Sequence, residues 1–170
     1  HPTLCIPELM RILIDEEGLE WDDAWDITTR TMSFTNHTIL PEAMEKWSIE
    51  LFRSLLPRVY MIVEEIDRRW RESLLKAGGN GHDILCSTAV LWDNEVRMAN
   101  LSIIGSHSVN GVAALHTEIL KESVFRDFYK LSPEKFNNKT NGVSHRRFLV
   151  QSNPTLTRLI TDAIGDDWIE

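Results

Sequence analysis

Three short polar segments of the sequence carry side chains that could bind a ligand. One runs from Thr35 to Thr38, one from Gly105 to Gly111 and one from Asn137 to Gly142. Their Asn, Thr, Ser and His side chains offer short hydrogen-bond donors and acceptors of the kind that orient sugar hydroxyl groups. Asn and Gly are also common turn formers, so either polar loop taken alone favours a turn over a binding site.

The segment around Gly105 and Gly111 interrupts a helical pattern that we predict over Ile103–Leu120. Each glycine costs about 1 kcal/mol relative to alanine inside a helix, and glycine permits close approach of another backbone or a ligand. Helix-on-helix packing is the favoured explanation, and ligand binding is the alternative. A Walker phosphate loop is excluded, because its spacing is absent and no Lys-Ser/Thr pair follows Gly111.

Other familiar chemistries find no support in the spacing of residues. The six histidines lack a His-Glu-x-x-His pattern, and Cys5 and Cys86 do not form a Cys-x-x-Cys pair. Both cysteines are flanked by apolar residues, so we predict buried free thiols in a reducing compartment. No Gly-x-Ser-x-Gly nucleophile motif occurs. Adjacent carboxylates fall on predicted polar faces or helix ends, where solvated charge is expected.

Composition indicates an ordinary globular protein. The 170 residues suffice for one domain with a sizeable core, and 42% are hydrophobic while 26% are charged. The net charge of -8 argues against nucleic acid and anionic membrane surfaces as partners. The sequence starts at His1 without a methionine or a targeting segment, and we expect such a start of a processed or excised piece.

The elements that position these residues are predicted to be mainly helical. The clearest helical period lies beyond Pro57, and the only strand signal is a hairpin with arms Ile84–Trp92 and Glu95–Leu101. Further predicted helices start at Pro7, near Asp22, at Pro41, at Ile103, at Val124 and at Pro154.

Taken together and in order, the polar segments resemble the sugar-site segments of α-glucan phosphorylases. The segments that carry the resemblance are Thr35–Ala43, Gly105–Val112 and Asn138–Gly142, supported by Leu55-Leu56-Pro57-Arg58 and Phe125–Tyr129. The resemblance extends over essentially the whole chain.

The resemblance implies a mainly α fold with one β-hairpin, as a fragment of a two-lobed α/β glycosyltransferase of the GT-B, Rossmann-like type. Residues 1–142 would be the C-terminal third of the N-terminal lobe, and residues 143–170 the start of the C-terminal lobe. The parent enzyme would cleave terminal α-1,4-glucosidic bonds of glycogen or another α-glucan with inorganic phosphate. It would release glucose 1-phosphate during carbohydrate catabolism in the cytoplasm.

The family's site residues carry over to several positions. His37 would be catalytic and would bind the 6-hydroxyl of the transferred glucose, with its backbone carbonyl facing the oxocarbenium-like centre. A carbonyl dipole there stabilises developing positive charge. Asn141 would contact the same hydroxyl, and Val112 would pack beside it.

Other positions are implied at the edges of this site. Glu45 and His1 resemble residues of the side pocket next to the glucose, and Glu42 resembles one near the cleft entrance. Phe148 stands where these enzymes usually have a Trp close to the cofactor, and His145 where they usually have a Pro. The cofactor would be pyridoxal phosphate, held on a lysine beyond Glu170 together with the basic residues that bind phosphate.

The resemblance implies α-1,4-glucan and inorganic phosphate as partners of the parent, which would be a homo-oligomer. The isolated chain is expected to be inactive and to self-associate through Ile103–Leu120 and Pro154–Ile164. The alternative is a stand-alone helical module that binds carbohydrate or another protein on the same scaffold. A sugar-nucleotide glycosyltransferase fits the two-lobed fold but does not fit the residues around His37 and Asn141.

Overall fold

A computed structural model describes residues 2–76 and 82–170. The chain divides into two compact units, His1–Lys139 and Thr140–Glu170. The predicted glycine-rich turn at residues 78–81 lies outside the described residues. Within those residues the structure is mainly helical, which confirms the predicted class. The α-helices are α1 Cys5–Arg11, α2 Trp21–Thr31, α3 Ile49–Leu55, α4 Pro57–Lys76, α5 His82–Thr88, α6 Met98–Ile104, α7 Ala114–Ile119, α8 Arg126–Leu131, α9 His145–Ser152 and α10 Pro154–Ile164.

Six short strands form two sheets among the described residues. They are β1 Ser33–Thr35, β2 Lys46–Ser48, β3 Leu91–Trp92, β4 Glu95–Arg97, β5 Ser108–Gly111 and β6 Phe136–Asn138. Sheet A has the order β1-β5-β6 with both pairs parallel. Sheet B has the order β2-β4-β3 with both pairs antiparallel.

Helix α4 is the longest element and follows its predicted apolar period. Ile62, Val63 and Ile66 on this helix are almost completely buried in the core. Asp67 is also buried, and its carboxylate accepts hydrogen bonds from the backbone N–H of Val90 at 2.7 Å and from Arg71 Nε at 2.6 Å. A buried carboxylate with these partners ties α4 to the start of the hairpin in sheet B.

The hairpin is confirmed, but its arms are shorter than predicted. Asp93 and Asn94 form its turn with positive φ angles of 50° and 60°, as Asn and Asp tolerate in two-residue hairpin turns. The outer parts of the predicted arms are helices α5 and α6. Nearly every residue of α6 is buried, so the sequence lacks the alternation that would separate helix from strand there.

The single helix predicted over Ile103–Leu120 is wrong. Helix α6 stops at Ile104, β5 runs from Ser108 to Gly111, and α7 begins at Ala114. Val109, Asn110 and Gly111 are buried because β5 is the central strand of sheet A, and its four residues are too few to establish a period of two in the sequence. The segment is therefore not one exposed apolar helix, so it does not form the continuous helical surface that we predicted for self-association.

Pro41 does not start a helix that reaches Trp47. It opens a short 3-10 turn, Pro41–Ala43, and the chain then enters β2, where Trp47 pairs with Val96 of the hairpin. The hairpin thus gains a third strand whose three residues are too few to show a period of two in the sequence.

Neither cysteine is fully buried, contrary to the prediction. Cys5 is exposed and Cys86 is half-buried, and both are free thiols. Flanking apolar residues misled the prediction because both cysteines lie on helices, where neighbours in sequence point to different faces.

The second unit consists mainly of α9 and α10. The Asn153 side chain accepts a hydrogen bond from the backbone N–H of Leu156 at 3.1 Å and Pro154 opens α10, as predicted. None of its residues is fully buried, and the exposed fractions of Leu159 and Ile164 are 66% and 69%. In the described parts of the chain, no helix has the length and apolar character needed to cross a membrane.

Candidate functional site

The carboxyl ends of the strands in sheet A gather polar segments of the sequence. Strand β1 ends at Thr35, β5 at Gly111 and β6 at Asn138. Because these strands are parallel, the residues that follow them leave the sheet at one edge, which we call the carboxyl edge of sheet A. Ligands of open α/β sheets bind outside this edge.

Asn110 joins β1 to β5 at the carboxyl edge. The Thr35 hydroxyl donates to Asn110 Oδ1 at 2.9 Å, and the backbone N–H of Asn36 donates to the Asn110 carbonyl oxygen at 2.9 Å. The Asn110 side-chain amide in turn donates to the Gly111 carbonyl oxygen at 2.9 Å. Asn110 is only 9% exposed, so these bonds hold a buried polar group in one orientation.

The loop after β1 is braced on both sides of His37. Asn36 is almost fully buried, and its Oδ1 accepts from the backbone N–H of Thr38 at 3.0 Å. The Thr38 hydroxyl accepts from the backbone N–H of Leu40 at 3.1 Å. Such side-chain turns fix the backbone. The His37 side chain is exposed and makes no hydrogen bond to the described residues, so a fixed backbone presents an imidazole that is available to a ligand.

The turn from β5 to α7 carries Val112, which is half-buried. The backbone N–H of Val112 donates to His116 Nδ1 at 3.1 Å. Before it, Gly111 lies so close to α7 that an added Cβ would be 2.5 Å from Thr117 Oγ1 and 3.0 Å from the Thr117 backbone nitrogen. Only glycine fits here. The prediction of a close backbone approach is thus confirmed, at the end of a strand and not within a helix.

The third segment follows β6. The backbone N–H of Lys139 donates to the Gly111 carbonyl oxygen at 3.1 Å, which continues the pairing of β6 with β5. Asn141 is exposed and belongs to the second unit, in the stretch before α9. The first unit therefore brings His37 and Val112 to the carboxyl edge of sheet A, while Asn141 is described within the second unit alone.

The other predicted site residues occupy varied positions. Glu45 is exposed, directly precedes β2 and accepts a hydrogen bond from Trp47 Nε1 at 2.8 Å. It lines a cavity of about 340 Å³. Glu42 is exposed in the 3-10 turn before β2. Phe148 is 52% exposed on α9 in the second unit, and His1 lies outside the described residues.

Titratable groups near the ends of sheet A give one shifted pKa. Burial lowers the pKa of Lys135, which immediately precedes β6, and Glu134 opposes that effect. The Lys135 ammonium group donates to the carbonyl oxygens of Ile103 and Ile104 at 3.2 and 3.4 Å, so it caps the C-terminus of α6. Lys135 stands at the amino end of its strand, away from the carboxyl edge. Across residues 2–76 and 82–170, no cluster of His, Cys, Asp or Glu could hold a metal ion.

Sequence reasoning missed His116 and Thr117, which shape the turn from β5 to α7. Both residues lay in the wrongly predicted helix, so their distance in sequence from Gly111 and Val112 did not indicate a contact with the end of a strand. A glycine followed six residues later by a small polar residue is too common a pattern to indicate packing. A boundary between strand and helix at Ala113 would have placed His116 in the first turn of α7, where side chains bond to backbone N–H groups.

Comparison of the sequence with known proteins assigns the chain to a family. The sequence profile of the carbohydrate phosphorylase family matches residues 1–170. The chain belongs to that family. It is 52% identical to the glycogen phosphorylase of Bacillus subtilis (strain 168) over 170 residues, which are 100% of this chain and 21% of that protein.

Two further relatives agree. The chain is 50% identical to the glycogen phosphorylase of Synechocystis over 173 residues, which cover 100% of this chain and 20% of that protein. It is 50% identical to the muscle form of human glycogen phosphorylase over 172 residues, which cover 99% of this chain and 20% of that protein. The chain thus spans about a fifth of the length of the phosphorylases it matches. The resemblance inferred from the polar segments is confirmed.

Proposed function

We propose that this chain is part of an α-glucan phosphorylase that cleaves terminal α-1,4-glucosidic bonds with inorganic phosphate and yields glucose 1-phosphate. The observation that carries the proposal is the carboxyl edge of sheet A, where a braced loop presents His37 beside the turn that carries Val112. Membership of the carbohydrate phosphorylase family supports the same reaction class. The role would lie in glycogen catabolism in the cytoplasm, with the parent enzyme as a homo-oligomer.

Within this proposal, residues 1–142 form the last third of the N-terminal lobe of a two-lobed enzyme, and residues 143–170 start its C-terminal lobe. The His37 side chain bonds the 6-hydroxyl of the transferred glucose, and its carbonyl dipole stabilises positive charge at the reacting carbon. Asn141 holds the same hydroxyl, and Val112 packs beside it. Glu45 and His1 line the side pocket, and Glu42 lies nearer the entrance.

Pyridoxal phosphate is the cofactor that we propose for the parent enzyme. The exposed ring of Phe148 can pack against a planar heteroaromatic group, so this residue fits a position beside the cofactor. An aromatic ring cannot bind the cofactor phosphate or link to it covalently. On the strength of the family resemblance, we propose that the lysine and the basic residues that hold the cofactor and the substrate phosphate belong to sequence beyond Glu170.

A segment exchange tests the proposed function. The segment of the Bacillus subtilis glycogen phosphorylase that matches this chain is replaced by the chain, and phosphorolysis of maltoheptaose is measured. We expect an active chimera. His37→Ala and Asn141→Ala should each lower kcat by about 100-fold or more and affect KM less, because both contacts tighten in the transition state.

The control for His37 is His82→Ala, which removes another exposed histidine whose recorded contact is with the ring of Trp92. It should leave turnover unchanged. An active chimera in which His37→Ala and His82→Ala behave alike would remove His37 from the site.

The isolated chain separates the proposal from its alternative. We expect it to bind no pyridoxal phosphate covalently and to make no glucose 1-phosphate, because the cofactor lysine is proposed to lie elsewhere. Reducible cofactor absorbance or phosphorolysis by the pure chain would contradict this. Tight binding of maltoheptaose by the isolated chain would instead favour a stand-alone carbohydrate-binding module.

We also propose that the isolated chain self-associates through α10. The apolar side chains of Leu159 and Ile164 are exposed on this helix, and exposed apolar side chains grouped on one short element are typical of a surface that packs against another protein. Light scattering over a dilution series should show a concentration-dependent mass, and Leu159→Lys should reduce it. A monomer at all concentrations would contradict the idea.

A further inference from the structure

The imidazole of His116 holds the backbone of Val112. The Val112 N–H donates to His116 Nδ1 at 3.1 Å, and Val112 directly precedes Ala113, the N-cap residue of α7. The Ala113 side chain cannot accept a hydrogen bond. His116 is the third residue of the helix and reaches back past the N-cap, much as Glu or Gln does at this position in a capping box. The contact therefore stabilises the backbone of the turn from β5 to α7.

This contact fixes the protonation pattern of the ring. Nδ1 can accept only when it carries no proton, so the neutral imidazole has its proton on Nε2. His116 Nε2 is buried and has no hydrogen-bond partner among the described residues. In an imidazolium Nδ1 carries a proton, so two N–H donors would face each other and the hydrogen bond to Val112 would be lost. The neutral Nε2–H tautomer is thus the form that holds Val112.

The same turn is confined from other directions. The Thr117 hydroxyl shares its one proton between two acceptors, the Ala113 carbonyl oxygen at 2.9 Å and Asn138 Oδ1 at 3.2 Å. Gly111 packs against the Thr117 backbone with no room for a side chain. The backbone before and after Val112 is therefore held by strand pairing and by α7, and His116 supplies the bond to Val112 itself.

We propose that His116 is a positioning residue that sets the place of Val112 in the glucose site, and so helps the enzyme to select a hexosyl over a pentosyl group. The inference rests on the proposed function, in which Val112 packs beside the 6-hydroxymethyl group of the transferred glucose. Without the bond to His116, the Val112 backbone can move away from that group. Packing against the extra carbon then weakens, while contacts to the rest of the sugar persist.

Two side chains provide matched variants. The Asn side-chain oxygen lies close to the position of His Nδ1, so His116→Asn can still accept from Val112. His116→Leu keeps much of the side-chain volume but offers no hydrogen-bond acceptor. A comparison between His116→Asn and His116→Leu therefore separates the acceptor at Nδ1 from the volume that the ring fills.

The first measurement concerns the hydrogen bond itself in the isolated 170-residue chain. Nitrogen-15 NMR should show the Nε2–H tautomer of His116. Exchange of the Val112 amide hydrogen should accelerate about tenfold or more in His116→Leu and stay near the wild-type rate in His116→Asn, because exchange follows local opening. Equal protection of this amide in all three chains would refute the positioning role.

The second measurement concerns selectivity in the complete enzyme. Glucan synthesis is assayed with glucose 1-phosphate and with α-xylose 1-phosphate, which lacks the hydroxymethyl group. The ratio of kcat/KM values should fall about tenfold in His116→Leu and stay near the wild-type value in His116→Asn, since a pocket built around one carbon group discriminates by 10- to 200-fold. An unchanged ratio in an active His116→Leu enzyme would overturn the inference. A wild-type enzyme inactive with both donors would contradict the proposed function, and the NMR result would still decide the hydrogen bond.

Discussion

Gly111 is the position where a single added methyl group tests the geometry of the candidate site most directly. In Gly111→Ala the new Cβ would lie 2.5 Å from Thr117 Oγ1 and 3.0 Å from both the Cα and the backbone nitrogen of Thr117. Carbon atoms in contact normally lie about 3.5–4.0 Å from other heavy atoms. Thr117 is only 2% exposed, and its hydroxyl is held by two hydrogen bonds, so rotation of its side chain does not relieve the contact.

The expected cost combines two effects of opposite sign. Overpacking at a buried contact costs about 1–3 kcal/mol. Replacing glycine by alanine also restricts the unfolded chain, which stabilises by about 0.4–1 kcal/mol where the backbone conformation suits alanine. Gly111 does not have a positive φ, so this second effect applies. We expect Gly111→Ala to lower the free energy of unfolding by about 1–2 kcal/mol, measured by urea titration of the isolated chain.

Gly105→Ala provides a contrast because its close neighbour is a flexible side chain. Its Cβ would meet Ile6 Cγ2 at 2.7 Å and Ile6 Cδ1 at 2.8 Å, with no backbone atom among its nearest neighbours. Ile6→Ala should therefore suppress the effect of Gly105→Ala in a double-mutant cycle, with a coupling of about 0.5–3 kcal/mol. Thr117→Ala should recover only part of the loss in Gly111→Ala, because the backbone atoms of residue 117 remain.

Gly142→Ala is the matched control for both variants. No heavy atom lies within 4 Å of a Cβ built on Gly142, and its φ is not positive. Its free energy of unfolding should stay within about 0.5 kcal/mol of wild type or rise slightly. If Gly111→Ala proved as stable as Gly142→Ala, β5 and α7 would not approach as closely as described. Full rescue of Gly111→Ala by Thr117→Ala would equally refute the role of the backbone contact.

Three further predictions concern the scaffold. Asp67→Ala should lower the free energy of unfolding by about 1–3 kcal/mol in urea, because the buried N–H of Val90 loses its acceptor and the partly exposed Arg71 loses its ion-pair partner. The hydrogen bond from Arg68, with a smaller one from Arg69, lowers the pKa of Glu65 from 4.5 to about 2 against the opposing effect of burial. Because the pKa of Glu65 is lower in the folded state, its carboxylate stabilises the fold above pH 4.5, and this contribution is lost as the pH falls towards 2. Glu65→Gln should therefore flatten the dependence of the free energy of unfolding on pH in that window. An unchanged pH dependence would contradict the prediction. Asn153→Ala removes the N-cap of α10 and should lower the free energy of unfolding by about 1 kcal/mol. An earlier loss of the helical circular dichroism signal on heating would detect this change.

Sequence patterns predicted the long amphipathic elements and failed at the short buried ones. Helix α4 was found because its apolar residues repeat at helical spacing over many turns, and α10 because Asn153, Pro154 and Gly165 mark its ends. Strands β1, β5 and β6 have only three or four residues each, which is too short to establish a period. Strand β5 has one apolar side chain, that of Val109, which is too little to set it apart from the helical pattern predicted around it.

The candidate site shows a similar division. The residues themselves stood out as polar segments, and their likeness to one family named roles for His37, Val112 and Asn141. The spatial relation of His37 and Val112 within the first unit could not be read from spacing, since it depends on the register of sheet A, which pairs Thr35 with Asn110 and Gly111 with Asn138. The supporting residues Thr117 and His116 emerged only when the boundary between β5 and α7 was known.

Sheet A is small, yet it determines where the segments that follow Thr35 and Gly111, which we propose to bind glucose, lie in the first unit. The Thr35 hydroxyl and the Asn110 amide are 75 positions apart in sequence and 2.9 Å apart in space. Loops joined to separate helices would need extensive packing to achieve such a fixed relation, whereas parallel strands bring their carboxyl ends to one edge with few residues.

Asn110 should therefore matter to the site although it touches no substrate in the proposed function. Asn110→Ala would leave the Thr35 hydroxyl without this acceptor and free the loop that carries His37, so its effect should appear in kcat as well as in stability. Asn110→Asp keeps the acceptor oxygen for Thr35 but loses the donor to Gly111. A chimera whose turnover was unchanged by both substitutions would show that strand pairing alone positions His37.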